Sequence, residues 1–266
     1  METVRPFKLA ECRDQACLDY AEAVKRRRNP PRVICHIMSS VDGRLLNARW
    51  SEPFGGTSAT AFFEIYASIG RELGTDAWMF GKNTLRAVFP EKFEADGDGI
   101  AADAPSVFIG ERRSARLFVI ADPEGDIRYT SSTLRGDNML VILGRNVKQG
   151  YLAHLRQMRI SYVIVPDAAN LRQGLETVGC AFGIRSVSVQ GGGILNGALL
   201  AGGLMDELSL VVYPGIDGLS GVPSIFEYTG GKTTAPAEGQ SLRLLSASQR
   251  EYGVMWLRYS VHRKKQ

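Results

Sequence analysis

The chain has 266 residues, 44% of them hydrophobic, and is long enough to bury a full core in one large domain or two small ones. Its 32 Lys and Arg residues exceed its 28 Asp and Glu residues by four and are mostly scattered, which suits an anionic small molecule and does not indicate nucleic acid. No apolar run could span a membrane and residues 1–30 lack the apolar segment of a signal peptide, so we expect a cytoplasmic protein that does not bind membranes.

The N-terminal segment has helical periodicity. Residues 9–28 carry apolar side chains at roughly helical spacing and end in the cluster Arg26 to Arg28, before two prolines. We predict a helical extension over residues 1–30, with the arginines in a solvated last turn, and a single domain over residues 31–266. The four cysteines form no CxxC pair and have no histidine at zinc spacing, which predicts free thiols and no metal site: Cys12, Cys17, Cys35 and Cys180.

The first predicted strand is followed by a carboxylate. Val33 to Met38 is a short apolar run, and Asp42 and Gly43 follow it as a frequent turn-forming pair. Two interpretations of Asp42 stay open. It can serve only the turn, or it can be a reactive group, because α/β proteins place their sites at the carboxyl ends of strands.

A loop, a helix and a second strand follow. Residues 44–58 include Arg44 and Trp50 and predict either a lid over a ligand or a packed surface loop. Apolar side chains then recur at helical spacing from Phe62 to Leu73, which predicts a core helix ending at Gly74. The next segment is a strand from Ala77 to Phe80, followed by small and polar residues that can cap a helix or hold a phosphate: Gly81, Lys82, Asn83 and Thr84.

Beyond a variable excursion at residues 90–115, strands and helices keep alternating. Strands are predicted at Leu117 to Ile120 and at Met139 to Leu143, and the second leads into Gly144, Arg145 and a helix. Arg145 is placed where a reader of the 2′-phosphate of NADP would be, although a lone Arg at a helix start is more often only a surface residue. The remaining predicted elements are a strand at Ser161 to Val165, a helix capped by Asp167 and ending at Gly179, a loop over residues 214–240, and a hairpin of Ser241 to Ser248 with Val254 to Val261. This order predicts an α/β fold with a mainly parallel central sheet flanked by helices and a C-terminal antiparallel hairpin.

The stretch from Ser188 to Asp217 predicts a strand, a glycine turn, a short helix and a second strand. Gly191, Gly192 and Gly193 lack Cβ atoms, and the helix that follows would direct N–H groups and its positive dipole end at one spot. A phosphate would sit well there, although a tight turn without a ligand is an equally good interpretation of the glycines alone. Asn196 stands where the usual dinucleotide fingerprint has its third glycine, so a standard Rossmann arrangement is not expected.

Three segments carry a resemblance to a known family. The segments are MSSVDGRL at 38–45, FGKNTL at 80–85 and GGGILNGALLAGGLMDELSLVVYPGIDG at 191–218. With them the chain resembles the reductase domain of the riboflavin-biosynthesis deaminase-reductases, whose fold is similar to dihydrofolate reductase. In that family NADPH reduces a phosphoribosylaminopyrimidine. The resemblance therefore implies NADPH as cofactor, a small-molecule substrate and a homodimer.

The resemblance also implies site residues. Gly81, Asn83, Thr84 and the turn from Gly191 through Gly192, Gly193 and Ile194 to Leu195 are assigned to the cofactor, and Ser40 and Asp42 to the catalytic region near the carbon that accepts hydride. We place on the substrate side His36, Arg44, Trp50 and Gln190.

The chain departs from the family at two of these positions. His36 stands where the reductases commonly carry Lys, and Gln190 stands where they carry Glu before the glycines. The zinc deaminase signature, HxE with PCxxC, is absent from the sequence. Two alternatives therefore stay open: an NADPH-dependent reductase of another heterocyclic or carbonyl substrate, and a nucleotide-binding protein without turnover.

Overall fold

The computed structural model describes residues 30–94, 99–100, 104–166, 171–231 and 234–264. The predicted N-terminal helix, Cys12, Cys17 and the predicted helix cap Asp167 lie outside these residues. Cys35 is a free thiol.

Strands and helices alternate through most of the described chain. The strands are β1 (Arg32–Ser39), β2 (Ala77–Gly81), β3 (Val107–Phe108), β4 (Leu117–Ala121), β5 (Thr133–Leu134), β6 (Asp137–Gly144), β7 (Ser161–Val165), β8 (Ser186–Val189), β9 (Glu207–Val212), β10 (Gln240–Gln249) and β11 (Met255–Arg263). The helices are α1 (Ala59–Glu72), α2 (Lys82–Leu85), α3 (Gln149–Gln157), α4 (Leu171–Phe182) and α5 (Gly193–Ala201), with 3₁₀ turns at Asn47–Arg49 and Glu251–Gly253. No described helix has the length and apolar character needed to cross a lipid bilayer.

All the described strands belong to one sheet. Its order is β10-β11-β9-β1-β8-β2-β4-β6-β7-β3, and β5 pairs with β6 beside this path. The seven neighbouring strands from β9 to β7 are parallel, whereas β10 and β11 form an antiparallel hairpin at one edge. The predicted class, mainly parallel with a C-terminal hairpin, is confirmed. Because parallel strands end at the same edge, the turns after β1, β2, β4, β6 and β8 share the carboxyl edge of the sheet.

Three details differ from the sequence-based prediction. The excursion at residues 90–115 contains β3, which pairs antiparallel with β7, and the short β5 pairs with β6. The prediction that α4 ends at Gly179 is wrong, because the helix continues to Phe182. Val178 and Phe182 are both buried, so the apolar face runs past Gly179, and Gly183 follows with a φ of +68°. A glycine in this left-handed region is the usual helix stop.

The two faces of the sheet are covered by different helices. Alternate residues of β1, such as Cys35, pack in one core cluster with α4 and α5, while Met38 packs on the other face with α1. Helix α3 covers that second face further along the sheet, over β4 and β6. Between α1 and α3 the second face presents Ser188 and Gln190 from β8 and its end, instead of apolar side chains. A gap therefore opens above the middle of the sheet.

Candidate functional site

A cavity of about 390 Å³ occupies this gap. It runs from the glycine turn after β8 to aromatic side chains of β2 and α1. Its walls combine aromatic rings, two side-chain amides and one cation: Ile37, Met38, Leu45, Asn47, Trp50, Phe63, Tyr66, Ala67, Trp78, Phe80, Thr84, Arg135, Gln190, Gly191 and Gly192. Its volume and largely apolar lining are those of a small-molecule site. Within the described residues, no three His, Cys, Asp or Glu side chains form a group that could hold a metal ion.

The glycine turn brings two helix starts together. Gly191 has a φ of +96° and is joined to Gly192 by a cis peptide bond, and α5 begins at Gly193 without a side-chain cap. The N–H of Gly81 donates to the carbonyl oxygen of Gly191 at 2.9 Å. A Cβ atom on Gly192 would lie 3.5 Å from Thr84 Oγ1. The starts of α2 and α5 are therefore adjacent, and their free N–H groups can bind a phosphate.

Four other residues that the resemblance assigns to the cofactor have different surroundings. A Cβ atom on Gly193 would lie 2.5 Å from the carbonyl oxygen of Ser224, so this glycine allows close packing of the 224–227 segment. Leu195 is buried, while Ile194 and Asn83 are exposed to solvent. None of these four lines the cavity.

Gly144 and Arg145 lie at the carboxyl end of β6. This strand is two strands away from β2 in the sheet, a distance of about 10 Å. Arg145 is exposed and forms no ion pair within the part of the chain that the structure describes. Lys82 at the start of α2 is instead paired with Glu124 at 2.5 Å. Arg145 is therefore the more available cation for an anionic group above this edge.

Asp42 is a hydrogen-bond acceptor that joins two loops. Ser40 Oγ donates to its Oδ1 at 2.6 Å, the N–H of Asp217 donates to the same oxygen at 3.1 Å, and the N–H of Gly218 donates to Oδ2 at 2.8 Å. These hydrogen bonds hold the pKa of Asp42 well below its usual range, and the bond from Ser40 has the largest effect. A carboxyl group that stays ionised cannot donate a proton, and neither Ser40 nor Asp42 lines the cavity. The geometry favours the turn interpretation of Asp42 over the catalytic one.

We expect Asp42→Asn to loosen this connection while leaving any proton transfer intact. An amide can accept through its oxygen only, so at least one of the Asp217 and Gly218 N–H groups loses its partner. Hydrogen exchange at these two amides should accelerate, and turnover should fall by much less than the roughly 10²-fold expected for loss of a general acid. Unchanged exchange combined with a 10²-fold loss would restore the catalytic interpretation.

Arg44 and Trp50 belong to the loop that follows β1. Arg44 Nη1 donates to the carbonyl oxygen of Val222 at 2.8 Å, which holds the guanidinium outside the cavity lining. Trp50 lines the cavity and packs against Tyr213, with ring centroids 4.8 Å apart. Trp50 is therefore a wall residue, a position that fits both the lid and the packed-loop interpretations of this loop.

His36 lies behind the cavity wall. It is fully buried, its Nε2 lies 3.2 Å from the carbonyl oxygen of Tyr66, and its Nδ1 lies 3.0 Å from Ser209 Oγ. Trp256 Nε1 also donates to Ser209 Oγ, at 2.8 Å. The imidazole stacks on the Tyr66 ring at 4.3 Å, and Tyr66 in turn lines the cavity. Burial lowers the pKa of His36 to about 4, so the ring is neutral near pH 7. The structure gives His36 no contact with the cavity, whereas Gln190 lines it.

Several wall residues were not identified from the sequence. Trp78 and Phe80 alternate on β2, and this two-residue period could have placed them on one face. Phe63 and Tyr66 belong to α1, which the sequence predicts as a core helix. Arg135 sits in a two-residue turn with no local signal of function.

Comparison with known proteins identifies the family. The sequence profile described as "RibD C-terminal domain" matches residues 31–255, whereas no curated protein matches the chain. Solved structures with the same fold include a pyrimidine reductase-like protein from Corynebacterium diphtheriae (TM-score 0.57, 19% identity, covering 88% of this chain and 93% of that one). They also include a riboflavin biosynthesis reductase from Saccharomyces cerevisiae (TM-score 0.53, 17% identity, covering 93% and 98%).

RibD from Acinetobacter baumannii has the same fold, at a TM-score of 0.56 and 20% identity. The match covers 88% of this chain and 58% of that one. These structures show that the fold is that of the RibD reductase domains, which is similar to dihydrofolate reductase, as the sequence predicted. The profile match extends over most of the chain and includes β1, the glycine turn and the cavity-lining strands. The chain therefore belongs to the RibD C-terminal domain family.

Proposed function

We propose that the protein is an NADPH-dependent reductase of a pyrimidine or related heterocycle, similar to 5-amino-6-(5-phosphoribosylamino)uracil reductase of riboflavin biosynthesis. The observation that carries this proposal is the cavity itself, which joins a phosphate-binding type of glycine turn to aromatic walls. The family consists of reductases, and the resemblance of this chain to them supports a nicotinamide cofactor. We also propose that residues 31–266 form one domain. We propose in addition that the protein acts as a homodimer, and light scattering would measure this oligomeric state.

The residues of the glycine turn fit the pyrophosphate of such a cofactor. Gly191 and Gly192 present no side chain to the space beside Thr84, and the start of α5 has no side chain competing for its N–H groups. We assign the phosphates to this turn and the 2′-phosphate to Arg145. The bound nicotinamide would supply the hydride.

The chain contributes orientation and exclusion of water. Trp78 and Phe80 from β2 face the same cavity as Phe63 and Tyr66 from α1, so a flat ring can lie among them. Gln190, at the end of β8, can form hydrogen bonds with ring substituents, because its buried Nε2 has no hydrogen-bond partner within the described chain. Asp42 keeps the 217–218 loop in place.

Nicotinamide oxidation with a panel of pyrimidine and pterin substrates tests the proposed function. Turnover with an aminopyrimidine ribosyl phosphate would support the riboflavin-type reaction, and turnover with another heterocycle would support the first alternative. NADPH binding without turnover on any substrate would favour a non-catalytic nucleotide-binding protein. Absence of NADPH binding to the folded protein would contradict the proposal.

Arg145→Ala should reduce the preference for NADPH over NADH. Charge-assisted hydrogen bonds contribute about 1.5–3 kcal/mol each, so we expect the ratio of the two affinities to fall roughly tenfold or more. Isothermal titration with both cofactors measures this ratio. Arg112→Ala is the matched control, because Arg112 is also exposed but lies in the loop before the amino end of β4. An unchanged ratio in Arg145→Ala would remove Arg145 from the cofactor site.

A further inference from the structure

Arg135 occupies the turn of a tight hairpin at one end of the cavity. Leu134 pairs with Asp137, so only Arg135 and Gly136 form the connection between β5 and β6. Their φ angles are +53° and +86°, the left-handed conformation that two-residue hairpin turns require at both positions. The short hairpin therefore fixes the position of the Arg135 backbone, and the exposed side chain extends from it.

Arg135 is the one charged residue among those that line the cavity. Within the described residues the Arg135 side chain has neither an ion pair nor a hydrogen bond. Burial raises the pKa of Tyr66, and the positive charge of Arg135 opposes that rise, which places the guanidinium within electrostatic range of α1. An unpaired cation beside an aromatic cavity is available to a ligand.

The position of Arg135 separates it from the glycine turn. Asn138, Leu117 and Ala77 are aligned across β6, β4 and β2, so the turn that precedes Asn138 lies at the amino edge of the sheet. Gly81 lies four residues beyond Ala77, which is about 13 Å along the strand. The backbone of Arg135 and the glycine turn therefore lie at opposite edges of the sheet. For this reason we expect Arg135 to bind a second ligand and not a cofactor phosphate at the glycine turn.

We propose that Arg135 binds an anionic group, a phosphate or a carboxylate, of the heterocyclic substrate. This inference rests on the proposed function only in taking the cavity as the substrate site. The flat part of the ligand lies among Trp78, Phe80 and Tyr66, and its anionic substituent extends to the guanidinium at the amino edge. Arg135 thus selects acidic heterocycles over neutral heterocycles of the same ring.

Matched pairs of ligands test this proposal by tryptophan fluorescence. Trp50 and Trp78 line the cavity, so a ring bound there should quench their emission, while Trp256 is buried in the core outside it. The probes are uridine 5′-phosphate against uridine, and orotate against uracil. In the wild type, we expect the anionic member of at least one pair to bind about tenfold more tightly or better. The pair that shows the effect distinguishes a phosphate from a carboxylate.

Two substitutions isolate the cation. Arg135→Asn should abolish the preference, since Asn tolerates a positive φ and the hairpin should still form. Arg135→Lys should retain part of it, and Arg112→Ala should retain all of it. Three outcomes would each overturn the proposal. The wild type could bind both members of each pair with equal affinity, or none of the four probes could quench the fluorescence. The third outcome is that Arg135→Asn keeps the full preference for the anionic ligand.

The cofactor is tested separately. NADPH affinity should be unchanged in Arg135→Asn, and a selective loss of NADPH binding would reassign Arg135 to the cofactor and overturn the inference. If the wild type shows the anion preference without binding NADPH, the proposed reductase function fails while the anion site stands.

Discussion

Gly192→Val should weaken NADPH binding about 10²-fold while the protein stays folded. A Cβ atom on Gly192 would meet only Thr84 Oγ1, at 3.5 Å, so the folded chain has room for its first atom. The two additional methyl groups would extend into the space between the starts of α2 and α5 that we assign to the pyrophosphate. We expect the affinity to fall on the order of 10²-fold, since overpacking typically costs about 1–3 kcal/mol and each tenfold corresponds to about 1.4 kcal/mol. Calorimetric titration of the folded variant with NADPH measures the change.

Two other glycines provide controls. Among the described residues, no atom would lie within 4 Å of a Cβ atom on Gly99, and its φ is normal, so Gly99→Val should leave both stability and NADPH affinity unchanged. On Gly197, within α5, a Cβ atom would lie 2.5 Å from the carbonyl group of Glu227, so Gly197→Ala should destabilise the fold by about 1–3 kcal/mol. Unaltered NADPH affinity in folded Gly192→Val would exclude the glycine turn from the cofactor site.

The second large effect concerns stability in acid. The pKa of His36 is about 4 in the folded protein because the ring is buried, against an ordinary value of 6.5. Between these values the unfolded chain binds more protons than the folded one, so stability falls as the pH drops from about 6.5 to 4. The shift corresponds to about 3 kcal/mol of unfolding free energy, present above pH 6.5 and lost at pH 4 and below.

Urea unfolding at pH 7 and pH 4.5 measures this loss. The sequence has three histidines, which makes the comparison simple: His36, His154 and His262. His36→Gln should remove most of the difference between the two pH values, because its amide does not titrate. His154, whose pKa is also lowered by burial, contributes in the same direction, whereas exposed His262 serves as the control through His262→Gln. If His36→Gln loses as much stability on acidification as the wild type, the imidazole is not the group responsible.

The order and class of the elements could be predicted from the sequence because both depend on local chemistry. Phe62 to Leu73 repeats apolar residues with the period of a helix, and α1 covers this segment up to Glu72, with Leu73 as its C-cap. Ser161 to Val165 was predicted as a strand and is β7 with the same bounds. The glycine turn was also visible, since three consecutive glycines permit conformations such as the φ of +96° at Gly191.

The surroundings of the site residues were decided by the tertiary structure. The residues alone left both a turn role and catalysis open for Asp42, and the fold places it against the N–H of Gly218, 176 residues away in the chain. His36 occupies a strand position next to predicted site residues, but α1 and β9 enclose it with Tyr66 and Ser209. Arg135 reaches the cavity only because β5 folds back on β6 at the amino edge. In each case the partner comes from a distant segment, and strand order and helix packing, which no local pattern encodes, determine whether a polar side chain is buried, paired or available to a ligand.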